Sequence, residues 1–188
     1  ISHNVVVGRD GLRAITSGAY NVALGNDTNR VNTGGSNNVA IGHRALFANT
    51  GSSITAVGHN ALEANTSGEK NCAVGYDAST SVTSGAGNTS LGYIAGDSVT
   101  TGNNNTCIGK EAGDDLTTGS YNTILGSDAA ASAVDASGEV VLGSSSVSTL
   151  RCNTSTISSL SDRRDKTDIN TLDLGLDFIN ALKPVKFK

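Results

Sequence analysis

Gly35-Ser36-Asn37-Asn38-Val39-Ala40-Ile41-Gly42-His43-Arg44-Ala45 returns with the same punctuation as Gly119-Ser120-Tyr121-Asn122-Thr123-Ile124-Leu125-Gly126-Ser127-Asp128-Ala129. The shared pattern is G-x-x-N-x-x-φ-G-x-x-A, where φ is aliphatic. Its second glycine stands at 8, 25, 42, 58, 75, 92, 109, 126 and 143, with seven spacings of seventeen residues and one of sixteen. Val7, Leu24, Ile41, Val57, Val74, Leu91, Ile108, Leu125 and Leu142 precede those glycines. The first glycine recurs at 18, 35, 51, 68, 85, 102 and 119, the Asn at 21, 38, 71, 88, 105 and 122, and the Ala at 45, 61, 78, 95, 112 and 129. Self-similarity at a fixed short period is the signature of a solenoid.

Each copy carries a short β-prone run, such as Val39-Ala40-Ile41, bounded by Gly and small polar residues, and has no room for a helix. The fold class expected is all-β: a β-roll or β-helix of about nine coils over residues 1–147, with two or three strands per coil. At the strand spacing of about 4.8 Å the stack would rise roughly 40 Å. Equivalent residues then lie above one another. The aliphatic column is expected to point inward, small Ala, Ser, Thr and Cys to fill the rest of a thin core, and the Asn column to pass side-chain amide bonds from coil to coil. The glycines are expected to supply corners of positive φ. Ile54 occupies the Asn register of the shorter copy, so the ladder should break there. Ala136 and Glu139 replace Gly and Asn in the last copy, as in a terminal repeat that caps a stack.

Composition points the same way. The chain has 23 Gly, one Pro, no Met or Trp, and 4% aromatic residues, too few large side chains for a broad globular core. Net charge is −4; six Lys and Arg precede residue 150 and seven lie in the last 38 residues. No basic face interleaved with aromatics marks a nucleic-acid partner. No apolar run is long enough to span a bilayer, so no membrane insertion is expected, and no signal peptide opens the sequence. Because the first residue already lies inside a repeat, Ile1 reads as a cut point within a larger protein. No CxxC or paired spacing links the cysteines: Cys72 and Cys107 read as small buried hydrophobes, and Cys152 lies beyond the periodic region.

The period ends after Gly143. Ser144 to Leu160 are rich in Ser and Thr, and residues 148–160 read as a connector. Ser161-Asp162-Arg163-Arg164-Asp165-Lys166-Thr167-Asp168-Ile169 follows, then Leu172, Leu176, Ile179 and Leu182 at helical spacing. These predict an amphipathic helix of about three turns that stops before Pro184.

The string SDRRDKTDI, the predicted helix and the closing KPVKFK resemble the opening of the intramolecular chaperone domain of phage tail spikes and fibres, the endosialidase-type or S74 peptidase family. The preceding repeats resemble those of phage tail fibre proteins and, more distantly, the β-roll heads of trimeric autotransporter adhesins. The resemblance implies a homotrimer whose C-terminal chaperone brings three fibre chains into register and is then released by self-cleavage before the serine. The scissile bond would be Leu160–Ser161, with Ser161 as nucleophile and Lys166 as general base, and Asp162 anchoring an arginine. Arg163 and Arg164 would help depress the lysine pKa. Asp165 stands where the family carries an aliphatic residue, and its carboxylate favours a protonated Lys166. The family domain is longer than 28 residues, so 161–188 reads as its N-terminal part, truncated.

Other chemistry is sparse. His43 and His59 follow the motif glycine in adjacent copies, Tyr76 and Tyr93 extend the same column, and Lys110 continues it. These five residues are the candidate binding positions; metal ligation and sugar stacking are weighed there against plain cross-coil packing. Gly102 to Lys110 misplaces the glycine and Ser/Thr of a phosphate loop, and the aspartates do not recur as in a calcium-binding repeat. No cofactor motif is present. Three classes remain: a trimeric phage tail or collar fibre, contacting other tail proteins and a host surface glycan or protein on an extracellular-facing part of a virion; a trimeric bacterial adhesin, against which SDRRDK argues; and an enzyme, limited to self-cleavage since no carboxylates cluster on one face. A Thr-based ice-binding face lacks a regular TxT column.

Overall fold

The computed structural model describes residues 3–151, and the chain divides into two compact units, Ile1–Ser148 and Thr149–Lys188. The first unit is a parallel β-solenoid. Its strands are β1 (Val5–Val7), β2 (Val22–Leu24), β3 (Val39–Ile41), β4 (Thr55–Val57), β5 (Cys72–Val74), β6 (Thr89–Leu91), β7 (Thr106–Ile108), β8 (Thr123–Leu125) and β9 (Val140–Leu142). They form one nine-stranded parallel sheet in sequence order. Each residue pairs with its equivalent one coil later, including across the short copy, where Val39 faces Thr55. There Thr50 bonds to Thr66 while Gly35 packs on Gly51, so the missing residue comes out of the corner between Thr50 and Gly51 and every column stays in register.

Among the described residues each coil holds a single strand, where two or three were expected. The cause is local. After the motif glycine, alternate residues adopt the left-handed conformation, as in Arg44 (φ 57) and Leu46 (φ 54), or Asn60 (φ 54) and Leu62 (φ 53). Such residues turn the chain instead of extending it. Backbone groups still pair between coils, Leu46 N–H donating to Ala61 O at 3.0 Å and Ala48 N–H to Glu63 O at 3.0 Å, so the turns bury no orphaned ladder.

The aliphatic column faces outward, contrary to the expectation from hydropathy. The central residue of each strand points in: Ala23, Ala40, Ala56 and Ala73 are fully buried, as are Cys107 and Ile124 within 1%. Strand alternation then sends both flanking residues to the other face, leaving Leu91 47% and Ile108 38% exposed. The interior is thin and its volume is balanced coil by coil. Ala45, Ala61, Ala78, Ala95, Ala112 and Ala129 line it throughout. Leu46 and Leu62 fill one column in the early coils; where that column shrinks to Ser79, Gly96 and Gly113, Val82, Val99 and Leu116 fill the column three residues on. Close packing enforces the exchange: a Cβ on Gly113 would come within 2.7 Å of Cys107 Sγ. Burial, helped by the Asp115 charge, pushes the Cys107 thiol up to about 12, which leaves it inert at neutral pH. Cys72 sits instead in the outward column, half-buried; Cys152 lies outside the described residues.

The two glycine columns do different things. Gly42, Gly58, Gly75 and Gly92 have φ of +129, +138, +147 and +143, the corner conformation expected. The first glycines, such as Gly68, lie outside the positive-φ region and are required by crowding: a Cβ there would land on the carbonyl oxygen of Gly85 and within 2.8 Å of Asn71 Nδ2.

The Asn ladder is present, with most of its bonds running to backbone. Oδ1 of Asn71, Asn88 and Asn105 accepts the N–H of the Asn one coil on, at 2.9, 2.9 and 3.0 Å. Nδ2 of the same three donates to the carbonyls of Gly85, Gly102 and Gly119, each at 2.8 Å. A second buried set, Asn32, Asn49 and Asn65, was not anticipated. Asn65 Nδ2 donates to the Gly68 carbonyl at 3.0 Å, fourteen residues after Ile54 and so the acceptor an Asn at that position would reach.

One amide is out of place. Asn29 is fully buried in the column of Leu12, Leu46 and Leu62; its Oδ1 accepts from Asn49 Nδ2 at 3.3 Å, but its Nδ2 has no partner among the described residues. The three leucines adopt the same left-handed backbone, φ 48, 54 and 53 against 46 at Asn29, so leucine is tolerated there. Asn29→Leu is expected to stabilise by about 1–2 kcal/mol, raising Tm by roughly 3–6 °C in a thermal melt; a lowered Tm would show that the amide is satisfied as it stands.

Candidate functional site

The residue after each motif glycine leaves the sheet at a corner fixed on both sides, by the glycine before it and a left-handed residue after it. Columns built this way project identical positions at coil spacing. His43, His59, Tyr76 and Tyr93 accordingly form one continuous stack. Ring centroids are 5.2 Å apart for His43–His59, 5.1 Å for His59–Tyr76 and 5.5 Å for Tyr76–Tyr93, with interplanar angles of 23, 7 and 14°. Tyr76 and Tyr93 remain 48% and 47% exposed. Asp77 flanks the stack: its Oδ1 accepts from Asn60 Nδ2 at 3.0 Å and lies 3.6 Å from His59 Nδ1.

Lys110 continues the column as an exposed cation. Its Nζ lies 3.0 Å from Glu111 Oε2 and 3.2 Å from Asp128 Oδ1, and those hydrogen bonds hold the ammonium above its ordinary pKa. Asp128 is correspondingly held low, first by Ser127 and then by Lys110.

This geometry limits the chemistry. The faces of His59 and Tyr76 are covered by ring neighbours on both sides, so the ladder offers edges, phenol hydroxyls and imidazole nitrogens. A sugar ring could lie flat only against the outer faces of His43 and Tyr93. Among the described residues no group of three or more His, Cys, Asp or Glu is placed to hold a metal ion, and no helix is long and apolar enough to cross a membrane.

A second column, five residues past the glycine, carries charge that motif reading passes over. It runs Arg13, Arg30, Phe47, Glu63, Thr80, Asp97, Asp114, basic in the first coils and acidic in the later ones. Arg13, Ala14, Arg30, Val31 and Phe47 line an open depression of about 500 Å³. Arg30 and Arg44 place Cζ 5.7 and 4.4 Å from the centre of the Phe47 ring, within cation–π range; Arg44 also pairs with Glu63, and Arg30 with Asp27 at 3.3 Å. At the acidic end burial raises the Asp97 carboxyl above its usual range, with the Asp77 charge adding. Asp114 is raised likewise, by burial and then by Asp115 and Glu111. The only sequence signal is the column itself, since its residue type changes from coil to coil.

A seven-residue threonine column, from Thr16 to Thr117, also crosses this unit. Six of its seven hydroxyls donate from coil to coil, among them Thr66 Oγ1 to Thr83 O at 2.9 Å and Thr117 Oγ1 to Val134 O at 2.9 Å, which leaves little of the free donor array an ice-binding face needs.

Ser161, Lys166 and the helix predicted over Leu172 to Leu182 lie outside the described residues. Comparison reaches them by sequence: residues 161–188 match the family model of the chaperone of endosialidase. No curated protein and no solved structure matches the chain. The chain thus carries a parallel β-solenoid of seventeen-residue coils followed, at residues 161–188, by sequence that matches the family model of the chaperone of endosialidase.

Proposed function

We propose that this chain belongs to a homotrimeric phage tail or collar fibre, built of a solenoid shaft at 1–147, a connector at 148–160 and, at 161–188, sequence of an intramolecular chaperone that brings three shafts into register. The observation that carries the reading is the match of 161–188 to a chaperone of endosialidase C-terminal to a parallel solenoid. The same match favours a fibre over a bacterial adhesin head. Function on this reading lies in rigidity and assembly, on an extracellular-facing part of the virion. Contact with other tail proteins and with a host glycan or protein is assigned to the variable column of His43, His59, Tyr76, Tyr93 and Lys110, whose exposed edges differ from coil to coil.

Chaperone release follows from the residues at the boundary. Ser161 Oγ attacks the Leu160 carbonyl carbon, the bond to the Ser161 nitrogen breaks, and an ester to Oγ remains for water to hydrolyse. Lys166, if neutral, takes the hydroxyl proton; the liberated amine receives one. Sedimentation of the intact gene product should give the mass of three chains, and a stable monomer would sink the reading. Mass spectrometry of the same product should find a chain ending at Leu160, replaced by the uncut chain in Ser161→Ala. Identical masses for the two proteins would remove the peptidase role and leave assembly standing.

A further inference from the structure

The outward face of the sheet has no cover among the described residues. Among the described residues there is no second sheet and no helix to lie over it, although parallel sheets are ordinarily buried on both faces. Two columns project from it. One reads Val7, Leu24, Ile41, Val57, Val74, Leu91 and on to Leu142, aliphatic in all nine strands; the other mixes Val, Thr and Cys. No charged residue interrupts either column. Exposure is 63% at Val7, 47% at Leu91 and 50% at Leu142, with Leu24, Ile41, Val57, Val74 and Leu125 half-buried between them, so a partly exposed apolar strip runs along the stack. Eighteen outward side chains, each exposing on the order of 50 Å², give roughly 900 Å² per copy, beyond the usual patch on a monomer and comparable to one partner's share of a stable interface.

We infer that this face is where three copies of the chain meet, with the aliphatic column along the three-fold axis and the Val/Thr/Cys column toward the rim. The inference rests on the trimer reading above and specifies its surface. A three-fold axis parallel to the stack sets each coil against the same coil of its partners, at the same height. A column uniform along its length needs no complement other than itself. Charged residues occupy the other columns, where they remain in water; the polar-rimmed, apolar-centred pattern is that of a permanent interface.

The test uses the full chain with Cys72, Cys107 and Cys152 changed to Ser, a residue already present at the equivalent of Cys107 as Ser90. Leu91→Cys in that background is treated with a short bismaleimide, and Tyr121→Cys, 70% exposed in another column, is the control. Cross-linked pairs should form in more than about half of the Leu91→Cys chains and in under about a tenth of the control. Val74→Cys, in the same aliphatic column, repeats the measurement should Leu91→Cys fail to fold. A sedimenting trimer that cross-links through Tyr121→Cys, or through neither position, overturns the face and leaves the trimer standing. A monomer by sedimentation overturns both, including the case in which another part of the same chain covers the sheet.

Discussion

Gly92→Ala is expected to cost about 4 kcal/mol and to collapse the cooperative melt of the solenoid well below that of the parent protein. Two independent effects add. Gly92 has a φ of +143, a conformation that L side chains rarely adopt, and forcing alanine there costs roughly 1–3 kcal/mol. The new Cβ would also lie 2.6 Å from the Gly109 carbonyl carbon and 3.2 Å from Lys110 N. These are backbone atoms of the next coil, unable to rotate away, so relief requires β6 and β7 to separate. Gly138→Asn supplies the contrast. Gly138 is left-handed at φ +74 with nothing within 4 Å of a Cβ, and its column already holds Asn37 (φ 59) and Asn104 (φ 56). That substitution should change stability by less than about 0.5 kcal/mol. Far-UV circular dichroism melts of both variants decide the matter: a Gly92→Ala melt matching the parent would mean that the corner is not held by backbone contact.

The glycine period announces coil length, strand register and the position of every column, because a parallel stack repeats its backbone requirements at each turn. Inside and outside were less legible. Hydropathy alone favours Ile41 over Ala40 as the buried residue, yet from the second strand to the seventh this narrow coil holds only Ala, Ser or Cys at the central position. The sign lay in size rather than polarity: the central strand position stays small from Ala23 to Cys107 while its neighbours vary. Both glycine columns look alike in sequence, since a residue excluded by φ and one excluded by a neighbouring carbonyl leave the same letter. The His43-to-Tyr93 ladder followed directly from register. The charged column through Arg30, Phe47 and Asp97 did not, because it has no constant residue, and the chemistry at Ser161 is carried by local sequence alone.

Ile54 and Asn65 occupy each other's places, which makes the largest polar effect in the core a paired one. In the next three coils the ladder Asn and an aliphatic residue eleven positions on form a set: Asn71 with Val82, Asn88 with Val99, Asn105 with Leu116. In the short coil Ile54 fills the volume and Asn65 supplies the amide, donating to Gly68 O at 3.0 Å and to Asn49 Oδ1 at 2.9 Å while accepting from Asn71 Nδ2 at 3.3 Å. Asn65→Val strands the buried Gly68 carbonyl and should cost about 2–4 kcal/mol. Ile54→Asn alone loses a buried aliphatic side chain, for about 1–3 kcal/mol; its amide can share the Gly68 carbonyl, as Asn38 and Asn49 Nδ2 share Gly51 O at 3.0 and 3.1 Å. The double substitution recreates the Asn71/Val82 arrangement, so its cost should fall below the sum of the singles by about 1.5–3 kcal/mol. Thermal melts of the four proteins in the cycle measure that coupling directly. Simple additivity would mean that Asn65 is held for its own neighbours; coupling of this size would mean that from the short coil onward one amide reaches the glycine carbonyl and one aliphatic group fills the space, with the chain indifferent to which position provides which, whereas the two coils before it place Asn at both positions (Asn21 with Asn32, Asn38 with Asn49).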